Sequence, residues 1–282
     1  MPLKFRSLTS SGFTHMHPML NIAIRAARNA GQVIVKGFAN PENIETRQKG
    51  QNDFVTNFDL DAENAVVNTI RKSYPEHTII GEECGELTGS NPDYQWVVDA
   101  LDGTTNFMNG IPHFAVSIAL RVKGRTEQAV VYDPIRDELF TASRGAGAQL
   151  NGYRIRTGKA KDLANTVLVT GFPSKQKHHA DAYLGMFKDL FVQCSDIRRA
   201  GAPSLDLVYV AAGRADGYWE LGLKPWDFAA GSLIAREAGA IVTDFVGGHN
   251  FERSGNLVCA NPKVLKIMLS TIREHLPESL AQ

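Results

Sequence analysis

Apolar residues near the beginning of the chain follow the spacing of an amphipathic helix. From Leu20 onward they recur every three or four positions, which predicts a helix over residues 17–38. The same spacing predicts a second helix over residues 59–74, and Pro75 ends it. Neither segment holds an apolar run as long as the ~20 residues that a membrane span requires. Both segments therefore predict helices that bury one face against a core.

Short apolar runs bounded by turn residues follow the second helix and predict strands. These runs cover residues 78–80, 94–99, 114–122, 127–132 and 138–142. After about residue 160, predicted strands at 167–170, 217–220, 240–244 and 256–259 alternate with predicted helices at 179–193, 203–213, 227–238 and 262–275. That alternation is typical of an α/β fold. Because no linker rich in proline or serine divides the chain, we expect a half at residues 16–160 to pack against a half at 161–282.

Charge and composition narrow the class of protein. The 282 residues include 30 Lys and Arg against 30 Asp and Glu, and the zero net charge disfavours a nucleic-acid or membrane binder driven by bulk positive charge. The three cysteines form no CxxC pair, which predicts reduced thiols in a cytoplasmic protein. Residues 1–15 are polar and lack the apolar region of a secretory signal, so we expect a disordered N-terminal extension.

The most informative pattern is the position of the acidic residues. Asp99 and Asp102 end an apolar strand and precede a Gly-Thr turn, Glu82 follows another predicted strand, and Asp227 begins a predicted helix. An unpaired buried carboxylate is strongly disfavoured. Carboxylate oxygens suit Mg²⁺, which commonly bridges them to the phosphate oxygens of a substrate. The turn at 103–105 adds backbone amides and hydroxyls at an expected helix N-terminus, a frequent anion site.

Each of these features alone has a simpler explanation. Asp227 could serve only as a helix cap, Glu82 and Glu83 could form a solvated turn, and Asp-Gly turns are common. Their joint occurrence favours a divalent-metal enzyme that acts on phosphates. No HxxxH pair or GxSxG motif supports a zinc or serine hydrolase, and the glycine pattern at 145–147 indicates a hairpin turn rather than a dinucleotide site.

Two motifs in combination resemble the signatures of one protein family. The first is Asp99-Ala100-Leu101-Asp102-Gly103-Thr104 and the second is Trp226-Asp227-Phe228-Ala229-Ala230-Gly231. In order and separation they resemble the inositol monophosphatase family of Mg²⁺-dependent, lithium-sensitive sugar phosphatases, and the likeness covers nearly all of residues 16–270. The segment 123–152 is most similar to the bacterial SuhB-type branch. The resemblance implies an α/β fold of the layered αβαβα sandwich type and a homodimer.

The resemblance also implies roles for individual residues. The ligands of two or three Mg²⁺ ions would be Glu82, Asp99, the Leu101 carbonyl, Asp102 and Asp227. Asp53 and Thr104 would activate the attacking water, Glu82 would contribute to catalysis, and Lys49 would lie near the site. The substrate would contact Asp102, Gly103, Thr104, Glu220 and Asp227.

The reaction that the resemblance implies is hydrolysis of a phosphate monoester by a metal-activated water. Myo-inositol 1-phosphate is the expected substrate, and fructose 1,6-bisphosphate and the 3′-phosphate of an adenosine bisphosphate are alternatives because relatives that use them share the metal motif. Two positions depart from the family pattern. Ala100 replaces a proline, which reduces preorganisation of the turn. Ala202 stands where the branch has serine or threonine, which leaves the substrate open.

A role without catalysis is a further alternative. The SuhB-type branch is linked to ribosomal RNA transcription antitermination and RNA maturation, through contacts with Nus factors and RNA polymerase. Arg198-Arg199 and the basic residues at 121–125 could form local patches for such partners, although ordinary solvated faces explain them more simply.

Overall fold

The structure is a computed structural model that describes residues 17–50 and 53–280. Its helices are α1 (Pro18–Phe38), α2 (Asn57–Ser73), α3 (Thr104–Met108), α4 (Ala180–Phe191), α5 (Pro203–Ala211), α6 (Pro225–Glu237), α7 (Phe251–Ser254) and α8 (Pro262–Arg273). Its strands are β1 (Thr46–Gly50), β2 (Asp53–Thr56), β3 (His77–Gly81), β4 (Gly85–Leu87), β5 (Asn91–Asp102), β6 (Ala115–Val122), β7 (Arg125–Asp133), β8 (Glu138–Ser143), β9 (Gly147–Leu150), β10 (Tyr153–Arg154), β11 (Val167–Thr170), β12 (Asp196–Arg198), β13 (Gly217–Glu220), β14 (Ile241–Thr243) and β15 (Leu257–Ala260). The extension expected at 1–15 lies outside the described residues.

The larger sheet has the strand order β10-β9-β8-β7-β6-β5-β3-β4. Its pairs are antiparallel except β3 with β5, which run parallel. Alternate residues of β5 point to opposite faces, as the two-residue period of a strand requires. Trp96 and Val98 join the core beneath α1 and α2, while Val97 joins the core that includes α5 and α6. The sheet is therefore buried on both faces by helices.

The smaller sheet has the order β12-β11-β13-β15-β14 and completes a five-layer arrangement. Tyr218 of β13 packs into the core shared with α5 and α6, and Trp219 packs on the other side with α4 and α8. The layers run from α1 and α2 through the larger sheet, α5 and α6, and the smaller sheet to α4 and α8. This confirms the layered αβαβα sandwich. The division into halves at 16–160 and 161–282 stays a prediction.

The long predicted elements are confirmed, and several short ones were not foreseen. The predicted helix over 17–38 is α1, and α2 begins two residues before the expected 59 because Thr56 caps it. The helix start expected at 103–105 is confirmed by α3, whereas the hairpin of β1 and β2 and the edge strand β12 were missed. In the described part of the chain, no helix is long and apolar enough to span a bilayer.

Candidate metal centre

A β-bulge near the end of β5 turns two aspartates toward the same side. Asp99 pairs with Ser117 of β6, whereas Asp102 pairs with Ala115, so β5 holds one extra residue between these pairs. In a regular strand, residues three apart point to opposite faces, and a bulge reverses that relation. Both carboxylates are buried, and Asp99 accepts the N–H of Leu101 at 2.9 Å. The spacing of the motif thus produces a paired acidic site.

A buried glutamate from α2 fixes the loop that carries Glu82. The carboxylate of Glu63 accepts the backbone N–H groups of Glu83 at 3.1 Å and Cys84 at 2.6 Å. Gly81 makes room for this arrangement, since a Cβ there would lie 2.5 Å from a Glu63 oxygen. Glu63 is 3% exposed. The sequence did not single it out, because it resembles any polar residue within a helix.

Asp227 reaches the same place from the first turn of α6. One of its oxygens accepts the N–H of Lys224 at 2.7 Å, the bond expected of an acidic residue at the third helical position. The helix-cap explanation is thus partly correct, but the other oxygen is free of that bond. Ligand atoms of Glu82, Asp99 and Asp227 all lie within 4.8 Å of one another. Strand end, loop and helix start therefore converge on one acidic cluster.

The electrostatics of this cluster favour a bound cation. Burial raises the pKa of Asp99 well above its ordinary value, and the charges of Glu82, Asp102 and Asp227 raise it further. Burial also raises the pKa of Asp102 to about 7 and the pKa of Asp227 well above normal. Among residues 17–50 and 53–280, no lysine or arginine pairs with these three aspartates. A divalent cation would satisfy the oxygens that the protein leaves unneutralised, so this donor set fits Mg²⁺.

The structure corrects the expected pairing of Asp53 with Thr104. The Thr104 hydroxyl donates to Asp59 at 2.7 Å and lies 3.3 Å from the Leu101 carbonyl, which also lines the cavity. The carboxylate of Asp53 instead forms an ion pair with Lys175 at 3.0 Å. Asp59 is 3% exposed on α2, whereas Asp53 lies in the short hairpin before it. A separation of six positions is enough to place the two carboxylates in different surroundings.

Lys49 lies beside the cluster, as expected, and pairs mainly with Glu83. Its Nζ lies 2.6 Å from Glu83 and 3.4 Å from Glu82. Although burial opposes the shift, these two carboxylates raise the pKa of Lys49 to about 12. Lys49 therefore neutralises the outer side of the Glu82 loop and leaves the inner aspartates without a cation.

The turn before the one-turn helix α3 requires glycine. Gly103 has φ of +107°, a region that L side chains rarely adopt, and a Cβ would lie 3.0 Å from the carbonyl of His113. Thr104 begins α3 directly after it. The turn thus presents Gly103 and Thr104 at the cavity edge next to Asp102.

Glu220 forms the opposite wall of the cavity, at the end of β13. It accepts the Tyr218 hydroxyl at 2.7 Å, and burial raises its pKa to about 7. Gly171 passes directly over this carboxyl, and a Cβ there would overlap it. Asp206 of α5 lies behind it, fully buried, with neither oxygen hydrogen-bonded to a described residue. Burial raises the pKa of Asp206 well above normal, followed by the charges of Glu220 and Asp102.

The hydroxyl of the Ala202-Pro203-Ser204 turn is directed at Asp102, one of the predicted metal ligands. Ser204 donates both its hydroxyl and its N–H, the latter at 2.7 Å, to one oxygen of Asp102. Pro203 lines the cavity without an N–H, and Ala202 is fully buried. This turn therefore holds Asp102 in place and offers no side-chain donor at residues 202 and 203.

These groups surround a cavity of about 190 Å³. It brings together the predicted site residues Asp53, Glu82, Asp99, Leu101, Asp102, Gly103, Thr104, Glu220 and Asp227. Lys175 and Arg199 also line it and supply positive charge. The sequence thus identified the walls of the site, although it missed Glu63, Asp59, Lys175 and the placement of Ser204.

Comparison with known proteins identifies this arrangement. A family model described as the inositol monophosphatase family matches residues 15–278. The chain belongs to the inositol monophosphatase family. Members of this family generally depend on Mg²⁺, which agrees with the acidic cluster. The family resemblance drawn from the two motifs is therefore confirmed.

Individual relatives place the chain in the bacterial part of the inositol monophosphatase family. The Nus factor SuhB of Escherichia coli strain K12 is 61% identical over 265 residues, which cover 94% of this chain and 99% of the relative. The extragenic suppressor protein suhB from Bartonella henselae has a similar structure, with a TM-score of 0.90, 40% identity and coverage of 92% and 100%. An inositol monophosphatase from Anabaena matches with a TM-score of 0.82, 34% identity and coverage of 93% and 97%.

Proposed function

We propose that this chain hydrolyses phosphate monoesters with Mg²⁺, and that myo-inositol 1-phosphate is a substrate. The observation that carries this proposal is the convergence of Glu82, Asp99 and Asp227 within 4.8 Å, with Asp102 beside them. Such a set of buried carboxylates is unstable without a cation. When bound, Mg²⁺ would neutralise phosphate charge and make water a better nucleophile.

The chain's own residues would orient the reactants. Asp59 holds the Thr104 hydroxyl proton, so the Thr104 oxygen keeps lone pairs free toward the cavity and can accept a hydrogen bond from the attacking water. The proton would pass from water to Thr104 while the Thr104 proton passes to Asp59. The amides of Gly103 and Thr104 at the start of α3 would hold the phosphate oxygens. Asp59 rather than Asp53 is therefore the base in this proposal.

The substrate side of the cavity suits a polyol. Glu220 presents a carboxylate that the Tyr218 hydroxyl orients, and such an acceptor can receive the hydroxyl protons of a sugar or inositol ring. Because Ala202 and Pro203 offer no side-chain donor, binding of the ring would depend strongly on Glu220. Lys175 and Arg199 line the cavity and supply positive charge for a second anionic group. Fructose 1,6-bisphosphate and the adenosine 3′-phosphate therefore stay as alternative substrates.

A substrate panel tests this proposal. Phosphate release would be measured from the three candidate substrates across a Mg²⁺ titration, with and without Li⁺. We expect Mg²⁺-dependent turnover that Asp99→Asn removes. The matched control is Asp137→Asn, since Asp137 is exposed on the surface and its carboxylate, among the described residues, contacts Arg28 and Tyr132. Asp99→Asn with wild-type turnover at saturating Mg²⁺ would refute the assignment.

A second candidate function comes from the relative that is named a Nus factor. At 61% identity over nearly the whole chain, we propose that this protein also takes part in transcription complexes in the cytoplasm. Pull-down of Nus factors and RNA polymerase with wild-type and Asp99→Asn protein separates the two functions. Equal recovery by both proteins would support a role that does not need catalysis, and recovery of neither partner would count against it.

A homodimer is part of the same proposal. On α4, Leu184 and Phe191 are 54% and 51% exposed, and the adjacent Val192 is 72% exposed. Apolar side chains grouped in this way commonly mark an interface. Light scattering on the wild type and on Val192→Lys tests this. A dimer that the substitution splits supports the interface, and a wild-type monomer at micromolar concentration contradicts it.

A further inference from the structure

A second cavity, of about 230 Å³, lies beside α6 and shares no lining residue with the acidic cluster. Its walls come from the end of β6, the turn into β7, the residue after β8, and helices α6 and α7. Four arginines line it: Arg121, Arg125, Arg144 and Arg236. Nothing in the proposed phosphatase reaction requires this concentration of guanidinium groups.

Two of these arginines lack a carboxylate partner. Neither Arg121 nor Arg236 forms an ion pair in the described part of the chain, and the buried Nε of Arg121 has no hydrogen-bond partner there. Arg236 makes one long bond to the Val242 carbonyl at 3.4 Å, and its guanidinium lies over the Phe251 ring at 5.3 Å. The ring thus fixes the orientation of a guanidinium whose donors are largely unused.

The other two arginines are held in place by neighbouring acceptors. Arg125 and Arg144 share the Glu127 carboxylate at 2.6 and 3.4 Å, and Arg144 also donates to the Thr126 carbonyl at 2.8 and 2.6 Å. Glu252 is the acidic residue among those that line the cavity. Counting Glu127, four guanidiniums therefore face two carboxylates.

Burial disfavours the charged form of one of these arginines. Burial lowers the pKa of Arg236, the charge of Glu252 opposes this, and the charge of Arg144 lowers it further. An anion bound among the guanidinium groups would favour their charged form and offset this cost of burial.

A buried serine supplies a further unused donor in the same cavity. Ser232 of α6 is 5% exposed, and its hydroxyl has no hydrogen-bond partner among the described residues. Buried hydroxyls are nearly always paired, and leaving one unpaired is costly. Because Ser232 lines the cavity, a ligand with acceptor oxygens would satisfy it.

We propose that this cavity, here named the arginine pocket, is a binding site for a small oxyanion of the phosphate type. Guanidinium groups match tetrahedral oxyanions through paired N–H donors. The cavity of about 230 Å³ has room for inorganic phosphate or for one phosphoryl group of a larger molecule. Arg121, Arg236 and Ser232 supply the free donors, and Arg144 adds charge.

Inorganic phosphate is the probe that tests the arginine pocket. The full chain would be titrated calorimetrically with potassium phosphate in excess EDTA, since the metal-free acidic cluster repels anions. Matched ionic strength in potassium chloride provides the reference. We expect saturable binding of about one phosphate per chain, and a melting temperature that rises with phosphate and not with chloride.

Two variants locate the binding. Arg236→Gln should weaken phosphate binding at least tenfold. Ser232→Glu would place a carboxylate among the guanidiniums, so it should abolish phosphate binding and raise the melting temperature of the free protein. Arg28→Gln, at an exposed arginine on α1, is the matched control and should leave the affinity unchanged.

Three results would overturn the proposal. The first is equal stabilisation by phosphate and by chloride. The second is an affinity within twofold of wild type in both Arg236→Gln and Ser232→Glu. The third is loss of phosphate binding in Lys175→Gln with full binding in Arg236→Gln, which would assign the phosphate to the cavity of the acidic cluster.

Discussion

The pairing of Thr104 with Asp59 can be tested by comparing how two aspartates contribute to turnover. The resemblance to the family suggested Asp53 as the partner of Thr104, whereas the structure places the Asp59 carboxylate 2.7 Å from the Thr104 hydroxyl. Asp59→Asn and Asp53→Asn are equivalent chemical changes six residues apart. They should differ strongly in their effect on turnover.

The expected magnitudes follow from the two environments. A positioned general base contributes about 10² to 10⁴ in rate, so Asp59→Asn should lower kcat by that factor, or ~3 to 5 kcal/mol in activation free energy. Asp53 is partly exposed, and its pair with Lys175 is of the kind that contributes about 0 to 1 kcal/mol. Asp53→Asn should therefore change kcat less than about tenfold.

Phosphate release from myo-inositol 1-phosphate at saturating Mg²⁺ measures both effects. Asp59 also accepts the N–H of Thr56 at 2.9 Å in the capping box of α2, so the melting temperature of each variant must be measured beside kcat. Thr104→Ser keeps the hydroxyl and should retain most activity. A large loss in Asp53→Asn, with near wild-type kcat in Asp59→Asn, would refute the assignment.

Other predictions follow from the neighbouring contacts. Glu63→Gln should loosen the Glu82 loop, because Glu63 accepts two backbone N–H groups of that loop. The Mg²⁺ concentration for half-maximal activity should rise about tenfold while kcat at saturation changes little, and an unchanged Mg²⁺ titration would contradict this. Gly171→Ala should displace Glu220 and raise KM about tenfold without altering the Mg²⁺ titration, since its Cβ meets that carboxyl. Folding raises the pKa values of Asp102 and Glu220 to about 7, so the metal-free protein should gain stability as pH falls through 7 and lose it as pH rises. Melting curves in EDTA and in Mg²⁺ between pH 6 and 8 check this, with the largest gain from Mg²⁺ expected at pH 8.

The parts of the fold that the sequence predicts are those with a long or strongly apolar pattern. The helix α1 buries a continuous stripe, and the core of β5 is an unbroken apolar run. The strand β1 is exposed at every position, so no alternation marks it. The helix α3 is only 5 residues long, so the turn at Gly103 predicts where it begins and no apolar period predicts where it ends.

The residues of the candidate site also differ in whether a local sequence pattern predicts them. Asp99, Asp102 and Asp227 were predicted because each ends or begins a regular element beside a recognisable motif. Asp59 was missed because its pattern with Thr56 is that of an ordinary helix cap, and its contact with Thr104 joins residues 45 positions apart. Such a contact depends on how α2 packs against β5, which no local pattern contains.

Direct measurement of metal binding tests the central claim most closely. Calorimetric titration of wild type and Asp99→Asn with Mg²⁺, repeated with Mn²⁺ as a spectroscopic probe, reports the cluster independently of turnover. We predict at least two ions per wild-type chain, loss of the tightest site in Asp99→Asn, and parallel loss of phosphate release. An Asp99→Asn chain that binds the same number of ions with wild-type affinity would contradict the assignment of this cluster as the metal centre.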